Sequence, residues 1–384
     1  MDYRAKNNSG TVLSGKDRRC EVGVRRVGPT VMILDISGWL GASGRSSLEL
    51  SLHDAVGASC HVLLNLSGLD HMDPDGAGAL IIAAARMKRH KLRLAASGLT
   101  EGLADVFHLT RLDEAIVLFP SESDVPAPSD PSQWPQPCAL STSLLTGPSL
   151  AGWAPYTEAL APREIPGEAM NINVRGRKTT SPVTGFGPLW DKCYRLRAGQ
   201  STVAPGEILA TWKAEFPDFW PSGNRFYPSG NRPIEPGTEA LLNLALPGGM
   251  VLATGLRVIY ADDACFSFMT IQGHILAGWI TFRCFVDQSD VIIEINPLFR
   301  SADPLMDAGF RLGAASQEDS FWHDTLENLA RRLELEGEVS QEDVLIDQGV
   351  NWRRASNLWY SAAIRSAFYM PWHLVKSFRL RPRN

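Results

Sequence analysis

Residues 19–120 alternate short apolar runs with segments in which apolar positions recur every three or four residues. The short runs are rich in Val, Ile and Leu and predict strands, whereas the recurrent spacing predicts amphipathic helices. Strands that alternate with helices are typical of a layered α/β domain. The predicted strands are Thr30–Ile36, His61–Leu66, Leu92–Ala96 and Ala115–Phe119, and the predicted helices are Ser46–Ala55, Gly76–His90 and Glu101–Leu109.

The pattern changes in residues 171–336, where strand-like runs follow one another with only turn residues between them. Four or five antiparallel strands in succession are the natural interpretation. Asp319–Leu335 then has helical spacing and predicts one long amphipathic helix. The block is therefore expected to be an α+β domain in which an antiparallel sheet packs against a C-terminal helix. The predicted strands are Ala240–Leu246, Leu256–Tyr260, Cys265–Thr270, Trp279–Phe285 and Val291–Asn296.

Three other segments differ from these two blocks in composition. Residues 1–18 are polar and are expected to be a flexible N-terminus. Ten prolines occur from Pro120 to Pro166, both included, and this composition predicts an extended linker over residues 121–170. In that linker, Trp134, Trp153 and Tyr156 favour contact with a domain. Residues 337–384 form a tail that is first acidic and then basic and aromatic.

The charge balance excludes several classes of protein. The chain has 384 residues, with 37 Lys and Arg against 42 Asp and Glu, and 44% of its residues are hydrophobic. This composition excludes global disorder and argues against a nucleic-acid partner. No apolar run is long enough to span a membrane, and the N-terminus lacks a signal-peptide core, so we expect a cytoplasmic protein. The six scattered cysteines predict reduced thiols, and we expect no metal site and no cofactor.

The segment Val62–Leu80 places Asp73, Asp75 and Gly76 at the junction of a predicted strand and a predicted helix. A helix N-terminus has free N–H groups and the positive end of the helix dipole, so it favours carboxylates and phosphates. This strand, Asp, Gly and helix pattern resembles the centre of a STAS domain over roughly residues 20–120. The family includes antagonists of bacterial anti-sigma factors, and the resemblance implies a protein partner of the anti-sigma or kinase type.

Asp75 stands where the STAS resemblance implies a Ser or Thr that the partner kinase phosphorylates. A carboxylate carries one permanent negative charge, which is less than a phosphoserine carries. One hypothesis is that Asp73, Asp75 and Gly76 form a switch or partner-binding face. The alternative is that the two aspartates only cap the helix that begins at Gly76.

A second set of motifs extends across residues 185–322. These motifs resemble an uncharacterised domain family of bacteria and plants, grouped with SRPBCC helix-grip folds related to START domains. The resemblance implies an apolar small-molecule or lipid ligand, and it transfers no catalytic residue. The motifs are Gly185–Trp190, Ala210–Pro217, Gly223–Tyr227, Tyr260–Asp263, Gly273–Phe282, Ser301–Leu305 and Glu318–Trp322.

An apolar cavity in this second block would be lined by aromatic side chains with a few polar groups among them. The alternatives are that these aromatic residues form a packed core, or that the block is an enzyme using His274 with Asp262 or Asp263. The residues expected at the ligand are Trp190, Tyr260, Trp279 and Phe282 as lining, with His274 and Arg225 as polar contacts.

The tail has no acidic residue after Asp347, while it carries seven Lys and Arg and many aromatic residues. Basic and aromatic residues at helical spacing can lie in a membrane interface or bind an anionic partner. The alternative is a helix that docks its aromatic face on the second domain. The residues singled out for this role are Arg353, Arg354, Trp359, Arg365 and Trp372.

These features together predict a non-enzymatic regulatory or sensory protein. Its STAS-like domain, over 19–120, would bind a protein partner, and its second domain, over 171–336, would bind an apolar small molecule or lipid. Two alternatives stay open: an enzyme acting in the cavity of the second domain, and a lipid-handling protein held at the membrane by its tail.

Overall fold

The computed structural model describes residues 4–6, 12–14, 19–126, 130–141, 150–162, 165–170, 172–199, 203–229, 234–246 and 250–369. The chain divides into two compact units, unit 1 over Met1–Tyr156 and unit 2 over Thr157–Asn384. This division lies inside the segment 121–170 that the composition predicts to be a linker.

In the described residues, unit 1 contains a two-stranded antiparallel ribbon and a five-stranded sheet with three α-helices. The sheet has the order β3-β4-β5-β6-β7, in which β4 to β7 are parallel and β3 is antiparallel to β4. The elements of unit 1 are β1 (Arg4–Lys6), β2 (Val12–Ser14), β3 (Cys20–Val27), β4 (Val31–Leu40), α1 (Ala42–Gly57), β5 (His61–Met72), α2 (Pro74–Arg89), β6 (Leu94–Ser97), α3 (Glu101–Thr110) and β7 (Val117–Phe119).

The predicted α/β layer is confirmed. The pattern did not predict the ribbon of β1 and β2, which lies in the segment 1–18 expected to be flexible, nor did it predict strand β3. Most of its side chains are exposed or half-buried, including Glu21, Arg25 and Arg26. An edge strand of this kind lacks the apolar run that marks a buried strand. β3 is stabilised instead by antiparallel backbone pairing with β4 and by an ion pair between Arg25 Nε and Asp35 Oδ2 at 2.7 Å.

The proline-rich segment packs on unit 1 at several points. Trp134 is buried among apolar residues of β4, β5, β6 and β7. Arg93, just before β6, donates from Nη1 to the Pro131 carbonyl at 2.7 Å. Farther along, the Trp153 indole donates to the Met72 carbonyl at the end of β5 at 2.6 Å. Residues 130–141 and 150–156 are thus part of unit 1.

Unit 2 is built on an eight-stranded antiparallel sheet of order β15-β8-β14-β13-β12-β11-β10-β9. It continues after β15 with a 3-10 helix over Trp352–Tyr360 and a helix over 362–369. Its other elements are β8 (Leu189–Ala198), α4 (Pro205–Ala214), β9 (Arg225–Pro228), β10 (Glu239–Leu246), β11 (Met250–Ala261), β12 (Cys265–Thr270), β13 (Leu276–Asp287), β14 (Asp290–Ser301), α5 (Pro304–Gly309), α6 (Ala315–Arg332) and β15 (Gly337–Asp347).

The main core of unit 2 lies between one face of this sheet and helices α4 and α6. Trp212 of α4 and Trp322, Leu326 and Leu329 of α6 belong to one buried cluster with residues of β8, β10, β11, β12, β13 and β14. The predicted sheet with a long C-terminal helix is therefore confirmed. The first part of the predicted tail, residues 337–347, is an edge strand of the same sheet, because β15 pairs with β8.

The opposite face of the sheet carries a smaller cluster formed by Leu160, Val174, Leu241 and Ile271. Neighbouring strand residues point to opposite faces, so Leu241 lies on this side while Leu242 belongs to the main core. The helix over 362–369 is tied to β11, since the Ala253 N–H donates to Ser366 Oγ at 3.0 Å.

Candidate functional site

The N-terminus of α2 is fixed by the carboxylate of Asp73. Asp73 is the N-cap residue, and its Oδ1 accepts a hydrogen bond from the Gly76 N–H at 3.0 Å. Trp39 Nε1 also donates to Oδ2 of the same carboxylate at 3.4 Å. Asp75 is half-buried in the first helical turn, where its negative charge faces the positive end of the helix dipole.

Gly76 is required by a close approach of the helix to strand β4. A Cβ atom at this position would lie 2.2 Å from the carbonyl oxygen of Leu40. The same carbonyl accepts the Asp73 N–H at 3.1 Å. At Gly41, a Cβ would lie 2.2 Å from Oδ2 of Asp73. Helix α2 therefore begins against the end of β4, and glycine is the residue that leaves space for this contact.

The surroundings of this helix start are aromatic. The rings of Trp39 and His71 lie 3.8 Å apart between their centroids. The buried Trp153 donates to the Met72 carbonyl, one residue before Asp73. The composition predicts that Trp153 contacts a domain, but it does not identify Met72 as the partner, because 81 positions separate the two residues.

Phe282 is a core residue, which corrects the expectation that it lines a ligand cavity. Its ring stacks on Phe266 at 4.8 Å and lies 5.2 Å from both Trp212 and Phe216. Centroid separations of 4.5–7 Å are those of aromatic rings in contact. No ligand fits between these rings, and the packed-core alternative holds for Phe282.

His274 and Asp262 both have structural hydrogen bonds. His274 is 6% exposed, and its Nδ1 accepts the Leu276 N–H at 3.0 Å. Burial lowers the pKa of His274 to about 4, so the ring is neutral at pH 7. Asp262 Oδ1 accepts the N–H groups of Ala264 and Cys265, each at 2.8 Å, and so fixes the turn before β12.

The suggested catalytic set of His274 with Asp262 or Asp263 is not assembled. The two aspartates precede β12 (Cys265–Thr270) and His274 follows it, so they lie at opposite ends of this strand. A strand of this length spans about 20 Å at about 3.3 Å per residue. Groups that far apart cannot act on one proton, which requires hydrogen-bond distance.

The remaining residues expected at a ligand occupy different environments. Tyr260 is buried, and its hydroxyl donates to Asp262 Oδ2 at 2.9 Å. Trp279 is buried, Trp190 is half-buried, and Arg225 is exposed. Trp279 and Phe282 lie three positions apart on β13, which places them on opposite faces of the sheet. The six residues therefore do not line one cavity.

A buried cluster of charges joins β8, α6 and β15, and the sequence analysis missed it. Lys192 Nζ lies 2.9 Å from Glu318 Oε2, 2.6 Å from Asp319 Oδ1 and 3.7 Å from Asp343 Oδ2. The Tyr194 hydroxyl donates to Asp319 Oδ1 at 2.6 Å. The side chain of Glu318 is 12% exposed, and its burial raises its pKa to about 7. The motif Glu318–Trp322 contains two members of the cluster, but no strand was predicted around Lys192.

The basic and aromatic segment is partly described. Arg353, Trp359 and Arg365 are exposed and Arg354 is half-buried, whereas Trp372 lies outside the described residues. The 3-10 helix over Trp352–Tyr360 is anchored to the sheet domain, because the Asn357 amide donates to the carbonyls of Thr184 at 3.0 Å and Ala302 at 2.8 Å.

Two further classes of site were tested on the described residues. In that part of the chain, no three His, Cys, Asp or Glu side chains are placed to hold a metal ion. None of the helices in the described ranges is both long enough and apolar enough to cross a membrane.

Comparison with known families assigns a domain to each unit. Residues 24–125 match the model of the STAS domain. Unit 1 contains a STAS domain. Residues 204–326 match the model of a domain of unknown function, DUF1990. Both agree with the resemblances on which the sequence analysis relied, and the STAS match indicates a protein-interaction role like that of the anti-sigma factor antagonists. None of the curated proteins matches the chain.

Solved structures give weaker likenesses. The anti-sigma factor antagonist SpoIIAA in its unphosphorylated form is 14% identical, with 27% of this chain and 91% of that chain covered and a TM-score of 0.24. An anti-sigma factor antagonist from Mycobacterium paratuberculosis is 20% identical, with 29% and 94% covered and a TM-score of 0.26. The di-domain ARO/CYC StfQ of the steffimycin biosynthetic pathway is 12% identical, with 38% and 51% covered and a TM-score of 0.31.

Proposed function

We propose that this protein is a non-enzymatic regulator whose STAS domain binds a protein partner of the anti-sigma or kinase type at the start of α2. The observation that carries the proposal is the geometry of that helix start. Asp73 accepts the capping hydrogen bond, and Asp75 lies in the first turn at the same end of the helix, where we propose that the partner binds. The partner would then meet an acidic side chain at position 75 without any phosphorylation step.

The division of roles between the two aspartates makes the proposal testable. Asp73 accepts hydrogen bonds from Gly76 and Trp39, so we expect its replacement to change the stability of unit 1. Asp75 is half-buried in the first turn and is expected to act at the interface. Replacement of Asp75 should therefore change binding more than stability.

The test is affinity capture with the full chain as bait, followed by calorimetry with the purified protein that it captures. Wild type, Asp75→Ala, Asp75→Ser and the control Asp54→Ala are compared, since Asp54 is an exposed aspartate on α1. We expect Asp75→Ala to weaken binding roughly tenfold, as for an interface residue whose loss costs more than about 1 kcal/mol. Equal affinity for all four proteins would show that Asp75 serves only the helix.

The serine variant adds a second measurement. If the captured partner is a kinase, Asp75→Ser should accept phosphate from ATP at position 75, and wild type should not. The phosphate would sit at a helix N-terminus, where its charge is favoured. Phosphorylation of wild type and Asp75→Ser at the same sites would contradict the assignment of position 75.

For unit 2 we propose a sensory role in which it binds an apolar small molecule or lipid. What supports this proposal is the sheet packed against one long helix, an arrangement that often encloses a cavity. We propose a site outside the aromatic cluster of Phe282, because the rings of that cluster are in contact with one another. Mass spectrometry of the natively purified protein is expected to detect a co-purified apolar compound. Its absence, with no binding of a fluorescent fatty acid, would leave the STAS interaction as the whole function.

A further inference from the structure

The exposed aromatic side chains of the described residues are concentrated near the end of unit 2. Trp352 is 75% exposed, Trp359 81%, Tyr360 39% and Phe368 83%, and elsewhere in the described ranges aromatic side chains are buried or half-buried. Large apolar groups at the surface mark interaction sites when they are clustered rather than scattered. We call residues 352–369 the terminal segment.

The terminal segment is held in place by backbone and side-chain contacts. The Ala362 N–H donates to the Gly273 carbonyl at 2.8 Å, and Ser366 is bound to strand β11. Ala362 and Ser366 are both buried and lie four positions apart, on one face of the helix over 362–369. Arg365 and Phe368 are exposed and lie three positions apart, so they are neighbours on its outer surface.

Arg177 lies against this segment through the ring of Tyr360. Its guanidinium is 5.3 Å from the ring centroid of Tyr360, and the residue is 9% exposed. Among the residues that the structure describes, no carboxylate lies within salt-bridge distance of Arg177. The positive charge of Arg365 is near enough to help burial lower the pKa of Arg177. Within the described residues, Arg177 is thus a buried cation that contacts the Tyr360 ring and has no carboxylate at ion-pair distance, and a buried charge of this kind favours a bound anion.

Two acidic residues of unit 2, Asp347 and Asp307, are paired with arginines. Asp347 pairs with Arg300 at 2.5 Å, and Asp307 pairs with Arg311 at 2.9 Å. Residues 348–384 contain seven Lys and Arg and no Asp or Glu. The electrostatic field of this part of the chain is therefore positive, and an occupant should be negative.

The chemistry of the occupant follows from the combination of cations and exposed rings. A free phosphate would use Arg177 and Arg365 and leave Trp359 and Phe368 in water. An anionic lipid surface would contact the arginines and the aromatic rings together, because lipid phosphates attract the arginines and the interfacial region accepts Trp and Phe side chains. We propose that the terminal segment binds anionic membranes peripherally, with Arg177 and Arg365 at a lipid phosphate and Trp359 and Phe368 in the interface. This inference does not depend on the proposed STAS partner.

The experiment is cosedimentation of the full chain with two kinds of vesicle. One kind is pure phosphatidylcholine, and the other is equal parts of phosphatidylcholine and phosphatidylglycerol. We expect binding only to the anionic vesicles and weaker binding at high salt, which screens exposed charges. Arg365→Gln should lower the partition coefficient about fivefold, which corresponds to about 1 kcal/mol per cation near the surface. Arg177→Gln should do the same.

Matched variants separate this surface from a general charge effect. Arg331→Gln removes an exposed cation of α6, and Leu50→Ser removes a 69% exposed apolar residue of α1. Both should bind as wild type does, whereas Trp359→Ser and Phe368→Ser should bind less. Circular dichroism checks that each variant is folded, and the exposed position of Arg365 keeps the test valid if Arg177→Gln does not fold.

Three outcomes would overturn the proposal. The first is equal sedimentation of wild type, Arg365→Gln and Phe368→Ser, which would move any membrane contact outside the terminal segment. The second is equal binding to both kinds of vesicle. The third is thermal stabilisation by inorganic phosphate that Arg177→Gln abolishes, without vesicle binding, which would identify a soluble phosphate compound as the ligand.

Discussion

Replacement of Asp73 by Ala should destabilise the STAS domain through the start of α2. The substitution removes the acceptor of the Gly76 N–H at 3.0 Å and of the Trp39 indole at 3.4 Å. Loss of an N-cap side chain costs about 0.5–2 kcal/mol. The second donor and the nearby helix dipole place Asp73→Ala in the upper half of that range, at about 1.5 kcal/mol. Asp73→Asn retains an acceptor oxygen and should lose less.

Urea denaturation combined with hydrogen exchange of the α2 amides measures this effect. The chain has two units and need not unfold in one step, so exchange of amides in residues 74–89 reports the relevant unit directly. Asp54→Ala, an exposed change on α1, is the control and should stay within about 0.5 kcal/mol of wild type. If Asp73→Ala is as stable as Asp54→Ala, the cap does not hold the helix start and the division of roles between Asp73 and Asp75 is wrong.

Three other substitutions test the packing and the charges. Gly76→Ala should destabilise unit 1 in the same assay, because its Cβ would meet the Leu40 carbonyl at 2.2 Å, and full stability would contradict that contact. Phe282→Ala should lower the free energy of unfolding in urea by about 3–5 kcal/mol, as for a buried aromatic residue. The control Val286→Ala, at a residue that is 56% exposed, should lower it by less than about 0.5 kcal/mol. Equal losses would mean that the ring cluster is not packed. Glu318 has a pKa raised from 4.5 to about 7, so its contribution to stability is lost as pH rises between those values. The stability of wild type relative to Glu318→Gln should fall by at most about 3 kcal/mol over this window, and a difference that is constant with pH would refute the assignment.

The sequence determined the buried strands and the start of α2, because their signals are local. Apolar runs predicted β4, β5, β12 and β13, because a strand that is buried on one or both faces carries apolar side chains there. The segment Asp73–Gly76 predicted a capped helix start, since an N-cap side chain bonds within its own first turn. The structure assigned the cap to Asp73 alone and the first helical residue to Pro74, two positions before the predicted Gly76. The two family resemblances rested on motifs of this local kind.

Only the tertiary structure decided the edge strands. β3 and β15 are mostly exposed and carry many charged residues, so they lack the alternation that a half-buried strand shows. They are strands because β4 and β8 offer unpaired backbone groups along their whole length. Residues 337–347 by themselves indicate an acidic tail, because β8, the strand with which they pair, lies far away in the sequence.

The same reason explains the charge sites that the sequence did not predict. Lys192 and Glu318 are 126 positions apart in the sequence and form a hydrogen bond in the folded unit. Arg177 and Tyr360 are also far apart in the sequence, and the fold brings the guanidinium over the ring. Phe282 was recognised as an inward residue, but the rings that fill the space around it come from four other elements or turns. Residue types and their spacing determine which side chains are buried. Long-range packing then determines which of these side chains contact one another, and the environment of each charge depends on those contacts.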